Sequence, residues 1–125
     1  MKHALVFSNA LDKNSSLFAL LDEFGYRSEI SYISHWGAAY LQTIIFDLLI
    51  VDLEIPQGES TWLVTLIENR QRKTPCPVVF LLPSERETML PDLQKVPDSE
   101  ILPKPFEEVK LREILLKKNE KGMTS

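Results

Sequence analysis

Apolar residues fall into short blocks of two kinds that alternate along the chain. Ala4-Leu5-Val6-Phe7, Leu48-Leu49-Ile50-Val51 and Val78 to Leu82 are near-continuous apolar runs, the pattern of strands covered on both faces. Tyr26 to Ile33 is a more polar strand, with Ile30, Tyr32 and Ile33 as its apolar members, which suits a sheet edge. Ile101-Leu102 is a short fifth strand. Between these runs the apolar positions recur at helical spacing: Leu17, Phe18, Leu20, Leu21 and Phe24, then Ala38, Leu41 and Ile44, then Trp62, Leu63, Leu66 and Ile67. A last stripe of Val109, Leu111, Ile114 and Leu115 predicts a final helix with those residues facing inward.

The punctuation agrees with this alternation. Asn14 or Ser15 caps the first helix, Gly25 stops it, and Ser34 caps the second. Pro56 and Gly58 mark a loop, and Pro75-Cys76-Pro77 leads rigidly into the fourth strand. In 83–98, Ser84 is a candidate cap, but Pro91 and Pro97 break anything longer than two turns, so the fourth helix is shortened or irregular. Strand–helix alternation of this kind predicts an α/β domain with a parallel sheet and right-handed crossovers. Ligands of such sheets sit beyond the carboxyl ends of the strands. The residues to interrogate are therefore Ser8, Asn9, Asp52, Leu82 to Ser84, and Lys104.

Composition narrows the classes. The 125 residues fit one domain, placed at 1–118 with a polar C-terminal tail at 119–125. A net charge of −4 argues against a broad phosphate-binding surface, so direct nucleic-acid binding is not expected. No apolar run reaches a membrane span or a signal-peptide core. The single cysteine, Cys76, fits a reducing compartment and a small buried filler, and the expected location is cytoplasmic. His3 and His35 have no partner set for catalysis, and four unclustered glycines give no phosphate-cradling loop. Trp62 and Phe106 are expected in the core, Trp36 half exposed, and the charged 68–73 segment on a solvated face.

At the strand ends the sequence resembles the receiver domain of bacterial two-component response regulators, over essentially the whole chain. Phe46 to Pro56 is similar to that family's third strand, phosphoacceptor aspartate and following loop, with Asp52 at the aspartate. Pro77 to Leu81 is similar to its fourth strand, Leu102 to Phe106 to its lysine-proline-phenylalanine signature, and Glu23-Phe24-Gly25-Tyr26 to the end of its first helix. The resemblance implies a doubly wound, flavodoxin-like five-stranded parallel sheet of order 2-1-3-4-5. It also implies a signalling module rather than an enzyme, with at most self-catalysed phosphotransfer to Asp52.

The departures concern chemistry. Where the family places two adjacent acidic residues that bind Mg²⁺, this chain has Ser8 and Asn9. Leu82 replaces the hydroxyl residue after the fourth strand, Ile101 the aromatic switch residue, and Ser60 a glycine. Of the reactive set, Asp52 and Lys104 remain. Phosphoryl transfer between two anions is mostly charge neutralisation, and Mg²⁺ wants one or two carboxylates. No metal site is therefore expected beyond a weak Mg²⁺ position at Asp52, Asn9 and Glu54, occupied only if phosphorylation is retained. Two readings follow: an atypical phosphorelay receiver with Asp52 as nominal phosphoacceptor, or a phosphorylation-independent pseudo-receiver serving as a protein–protein interaction module. Partners implied are a histidine kinase or another signalling protein, with a homodimer possible.

Overall fold

A computed structural model describes residues 2–9, 15–55 and 57–124, apart from the side chains of 35, 57–60 and 119–124. Five strands, β1 (Lys2–Phe7), β2 (Tyr26–Ser31), β3 (Leu48–Asp52), β4 (Val78–Leu82) and β5 (Ser99–Pro103), form one parallel sheet of order β2-β1-β3-β4-β5. The helices are α1 (Ser16–Glu23), α2 (His35–Thr43), α3 (Gln57–Lys73), α4 (Leu90–Leu93) and α5 (Glu108–Thr124), with a 3₁₀ segment at Ser84–Met89.

Successive side chains of a strand point to opposite faces, and here each face has its own core. Leu5, Phe7, Leu49, Val51, Val78 and Phe80 pack with Leu41 of α2 and Leu63 and Ile67 of α3. Ala4, Val6, Leu48, Ile50, Val79 and Leu81 pack with Leu17 and Leu21 of α1 and Leu111 and Leu115 of α5. Every residue of β3 and β4 is buried, which is why their sequences do not alternate. Each such aliphatic side chain contributes about 1.5–3 kcal/mol of transfer free energy.

The sequence signals locate most boundaries. Ser15 caps α1, its hydroxyl accepting from Leu17 N–H, while Asn14 lies outside the described residues. Ser34 caps α2 by accepting from Gly37 N–H at 3.1 Å. Gly25, at φ +85°, turns the chain into β2. Gly37 is needed for a different reason: a Cβ there would lie 2.0 Å from the Tyr32 carbonyl oxygen and 2.6 Å from the Phe7 ring. Only a bare Cα lets α2 approach the end of β2 so closely.

Several expectations need correction. The second strand ends at Ser31, not Ile33. Gly58 belongs to α3 rather than to a loop, and Pro56 lies outside the described residues. Ser84 caps nothing: Pro83 holds the position before the 3₁₀ segment. Pro91 does not break a helix but starts one, sitting in the first turn of α4 where its missing N–H costs nothing. Trp36 is fully exposed rather than half exposed, and Val109 faces solvent because the buried stripe of α5 runs through Leu111, Leu115 and Lys118. Backbone helix continues to Thr124, so the polar 119–125 segment prolongs α5 up to that residue. Finally, 68–73 is not simply a solvated face, because Arg70 and Gln71 are buried.

Candidate functional site

Three strand ends converge at the carboxyl edge of the sheet. In β1, β3 and β5 the even-numbered apolar residues belong to the α1/α5 core, and the next even positions are Ser8, Asp52 and Lys104. The alternation persists past the last apolar residues because the ladder does. Ser8 N–H donates to Ser31 C=O at 2.9 Å, Leu53 N–H to Leu81 C=O at 3.0 Å, and Lys104 N–H to Leu82 C=O at 2.9 Å. The peptide between Lys104 and Pro105 is cis. Thus residues distant in sequence reach one point through register alone.

Asp52 and Ser8 are completely buried. The Asp52 carboxylate accepts from three groups: Ser8 Oγ at 2.9 Å, the Glu54 backbone N–H at 3.2 Å, and Lys104 Nζ at 3.1 and 3.3 Å to its two oxygens. Lys104 Nζ also donates to Glu54 Oε2 at 2.8 Å, its shortest contact. One ammonium therefore bridges two carboxylates, one sealed and one solvent-facing. Burial is the largest influence on Lys104 and pulls its pKa down, but hydrogen bonds to Glu54 and Asp52 and their negative charges together outweigh it. The net shift is upward from 10.5.

Asn9 stands apart from this cluster. Its amide oxygen accepts from Ile33 N–H at 2.8 Å and braces the turn between β2 and α2. Leu82 is buried in the α2/α3 core, and Ile101 packs against that same core, opposite Phe80 in the β4–β5 register. Both act as packing residues on the face opposite the one to which Ser8, Asp52 and Lys104 belong. Ser84 is exposed. Among the described residues, no group of three or more His, Cys, Asp or Glu side chains is placed to hold a metal ion.

Two features of the neighbourhood escape sequence reading. Arg86, in the 3₁₀ segment, donates through Nη2 to Ile55 C=O at 2.7 Å and so ties the broken fourth helix to the loop after Asp52. Glu54 stands out in the sequence as a second carboxylate, whereas its partnership with Lys104 depends on where β5 ends. No spacing signal links residues fifty positions apart.

The fold is similar to that of solved receiver-domain structures. The beryllofluoride-activated receiver-domain dimer of NtrC4 is 22% identical, covers 97% of this chain and 98% of its own, and superposes with a TM-score of 0.71. Full-length FixJ from B. japonicum is 18% identical over 96% of this chain and 58% of its own length, with a TM-score of 0.76. The receiver domain of the sensor histidine kinase PA1611 from Pseudomonas aeruginosa PAO1, with magnesium coordinated in its active-site cleft, is 20% identical over 93% of this chain and 95% of its own, at 0.67. No protein-family model matches the sequence, and no characterised protein matches it in sequence.

Proposed function

Because the chain has the fold of response-regulator receiver domains, we propose that it is a two-component signalling module of the pseudo-receiver kind, acting through protein–protein contact independently of phosphorylation. The observation that carries this reading is the saturation of Asp52. Its buried carboxylate accepts from Ser8, Lys104 and the Glu54 N–H, while Lys104 is further held by Glu54. A phosphodonor has to displace these partners and then meet two negative charges with one cation in place.

The donor set does not fit Mg²⁺. That ion keeps a near-octahedral oxygen shell, usually built on one or two carboxylates. Here both nearby carboxylates are bridged by an ammonium, and the Asn9 oxygen serves Ile33. Leu82 and Ile101 also lack what a two-state switch needs, since neither offers a hydroxyl or an aromatic ring with a differential contact to a phosphoryl group.

The surface proposed to meet a histidine kinase or another signalling protein comprises the broken fourth helix, β5 and α5; β4, expected to contribute to it, is buried throughout. The exposed large apolar residues of these elements are Leu90 on α4 and Val109 and Leu116 on α5. The competing reading, a slow but working phosphoacceptor, draws on the Asp52–Lys104 pair at 3.1 Å. Intact-mass spectrometry after incubation with acetyl phosphate and Mg²⁺ separates the two, with Asp52→Ala as control. We expect no adduct on either protein. An adduct of one phosphoryl group that disappears in Asp52→Ala overturns the locked-site reading and establishes Asp52 as an acceptor.

A further inference from the structure

The outer edge of the sheet is self-complementary, and we propose that β2 pairs antiparallel with β2 of a second copy of this chain. The strand reads Tyr26-Arg27-Ser28-Glu29-Ile30, an order that is chemically palindromic about Ser28. With a two-fold axis through Ser28, Arg27 of each copy lies opposite Glu29 of the other, and Tyr26 lies opposite Ile30. Opposite charges and aromatic–β-branched pairs are the favourable cross-strand combinations. Natural edge strands usually repel copies of themselves with charge. Here the two edge charges have opposite signs at positions related by the axis, so the same device attracts.

The backbone supports this register. Ser31 C=O accepts from Ser8 N–H, so odd-numbered residues of β2 turn their peptide groups toward β1. Those of even-numbered residues, with Ser28 at the centre, turn outward. Ser28 therefore meets its symmetry mate in a hydrogen-bonded position, and Arg27 and Glu29 fall in non-hydrogen-bonded positions, where opposing side chains lie closer. Both charged side chains are exposed.

A second observation points to the same edge. Tyr40 of α2 donates its hydroxyl to Glu29 Oε2 at 2.6 Å, which places that face of α2 over the strand. Trp36, one turn earlier on the same face, is 88% exposed, and Tyr32 in the preceding turn is 71% exposed. A two-fold axis perpendicular to the sheet keeps equivalent helices on one side. The two α2 helices then face each other across the joined edges, and Trp36 is covered by its counterpart.

Sedimentation velocity on the full chain, over a wide concentration range, tests the pairing. Wild type should show a concentration-dependent dimer, accompanied by a blue shift in Trp36 emission that Trp36→Phe removes. Arg27→Glu and Glu29→Arg should each weaken self-association by about tenfold or more, since two attractive pairs become repulsive. Arg27→Glu leaves the Tyr40–Glu29 bond in place, and circular dichroism checks the fold of both variants. An equimolar mixture of the two single variants should form a heterodimer at least as readily as wild type forms a homodimer, because their charges complement each other in this register. A wild type monomeric throughout overturns the inference, as does a dimer that both reversals leave unchanged, or a mixture that fails to associate. None of these outcomes depends on whether Asp52 accepts phosphate.

Discussion

Two polar clusters, each built around buried side chains, lie at opposite ends of the sheet, and they are wired differently. At the carboxyl end, Ser8, Asp52, Glu54 and Lys104 bind chiefly one another's side chains. At the amino end, Arg70 and Gln71 of α3 bind mostly main chain. Arg70 donates to Leu41 C=O at 3.0 Å and Thr74 C=O at 3.1 Å, and its guanidinium stacks on Phe46, 4.1 Å from the ring centre. The Gln71 amide donates to Cys76 C=O and Pro97 C=O at 2.6 and 2.7 Å and accepts from Cys76 N–H. The second cluster closes the lead-ins to β4 and β5 by satisfying backbone groups that have no ladder partner. The first is held mainly by contacts among its own side chains, with the Glu54 N–H as a backbone donor to Asp52, so it closes no lead-in of the sheet.

Arg70→Ala is the harshest test of that contrast. It orphans two carbonyls and uncovers an aromatic face, and we expect a loss of about 3–4 kcal/mol in urea unfolding. Arg70→Lys should recover little, because a lysine has neither the planar fork nor the stacking face. At the other cluster the effect should depend on which partner is removed. Lys104→Met leaves the sealed Asp52 charge without its cation and should cost about 2–3 kcal/mol. Asp52→Asn keeps the hydrogen-bonding shape and should stay within about 1 kcal/mol of wild type. Equal losses from the two substitutions would contradict a site in which the buried anion dictates the cost.

The pH dependence sharpens the same point. Lys104 has its pKa raised in the folded protein, so its contribution is complete below its unfolded value of 10.5 and disappears as pH rises through the higher folded value. The difference in stability between wild type and Lys104→Met should therefore be flat below that pH and shrink above it. The smallest effect should come from Glu54→Gln. Its carboxylate is 58% exposed, and we expect less than about 0.5 kcal/mol, falling further with added salt.

What the sequence makes legible follows from the range of each interaction. Strand runs and helix caps are local signals, and they place all five strands and the first two helices within a few residues. Asp52 and Lys104 are visible because they follow apolar runs. Their convergence with Ser8 is not local, since it depends on strand order and register. Arg70 and Gln71 look solvated by residue type, yet they lie on the stripe that Leu63 and Ile67 begin, three and four positions beyond Ile67. Lys118 repeats the case on α5, three positions beyond Leu115, where it is buried and paired with Asp98 at 2.8 Å. Periodicity carried past the last apolar residue would find all three. Trp36 misleads for the converse reason: a large apolar side chain suggests burial, but among the described residues no element lies over that face of α2.

The missing side chain at Gly37 has a mechanical meaning. With the Tyr32 carbonyl and the Phe7 ring pressed against the bare Cα, the start of α2 has no clearance in which to roll or slide. A side chain inserted there acts as a wedge. It drives the helix off the rim of the sheet and takes with it the aromatic overhang that Trp36 and Tyr40 form. The geometry of that rim is therefore set by an absence, a tolerance of a single carbon atom at one position of the chain.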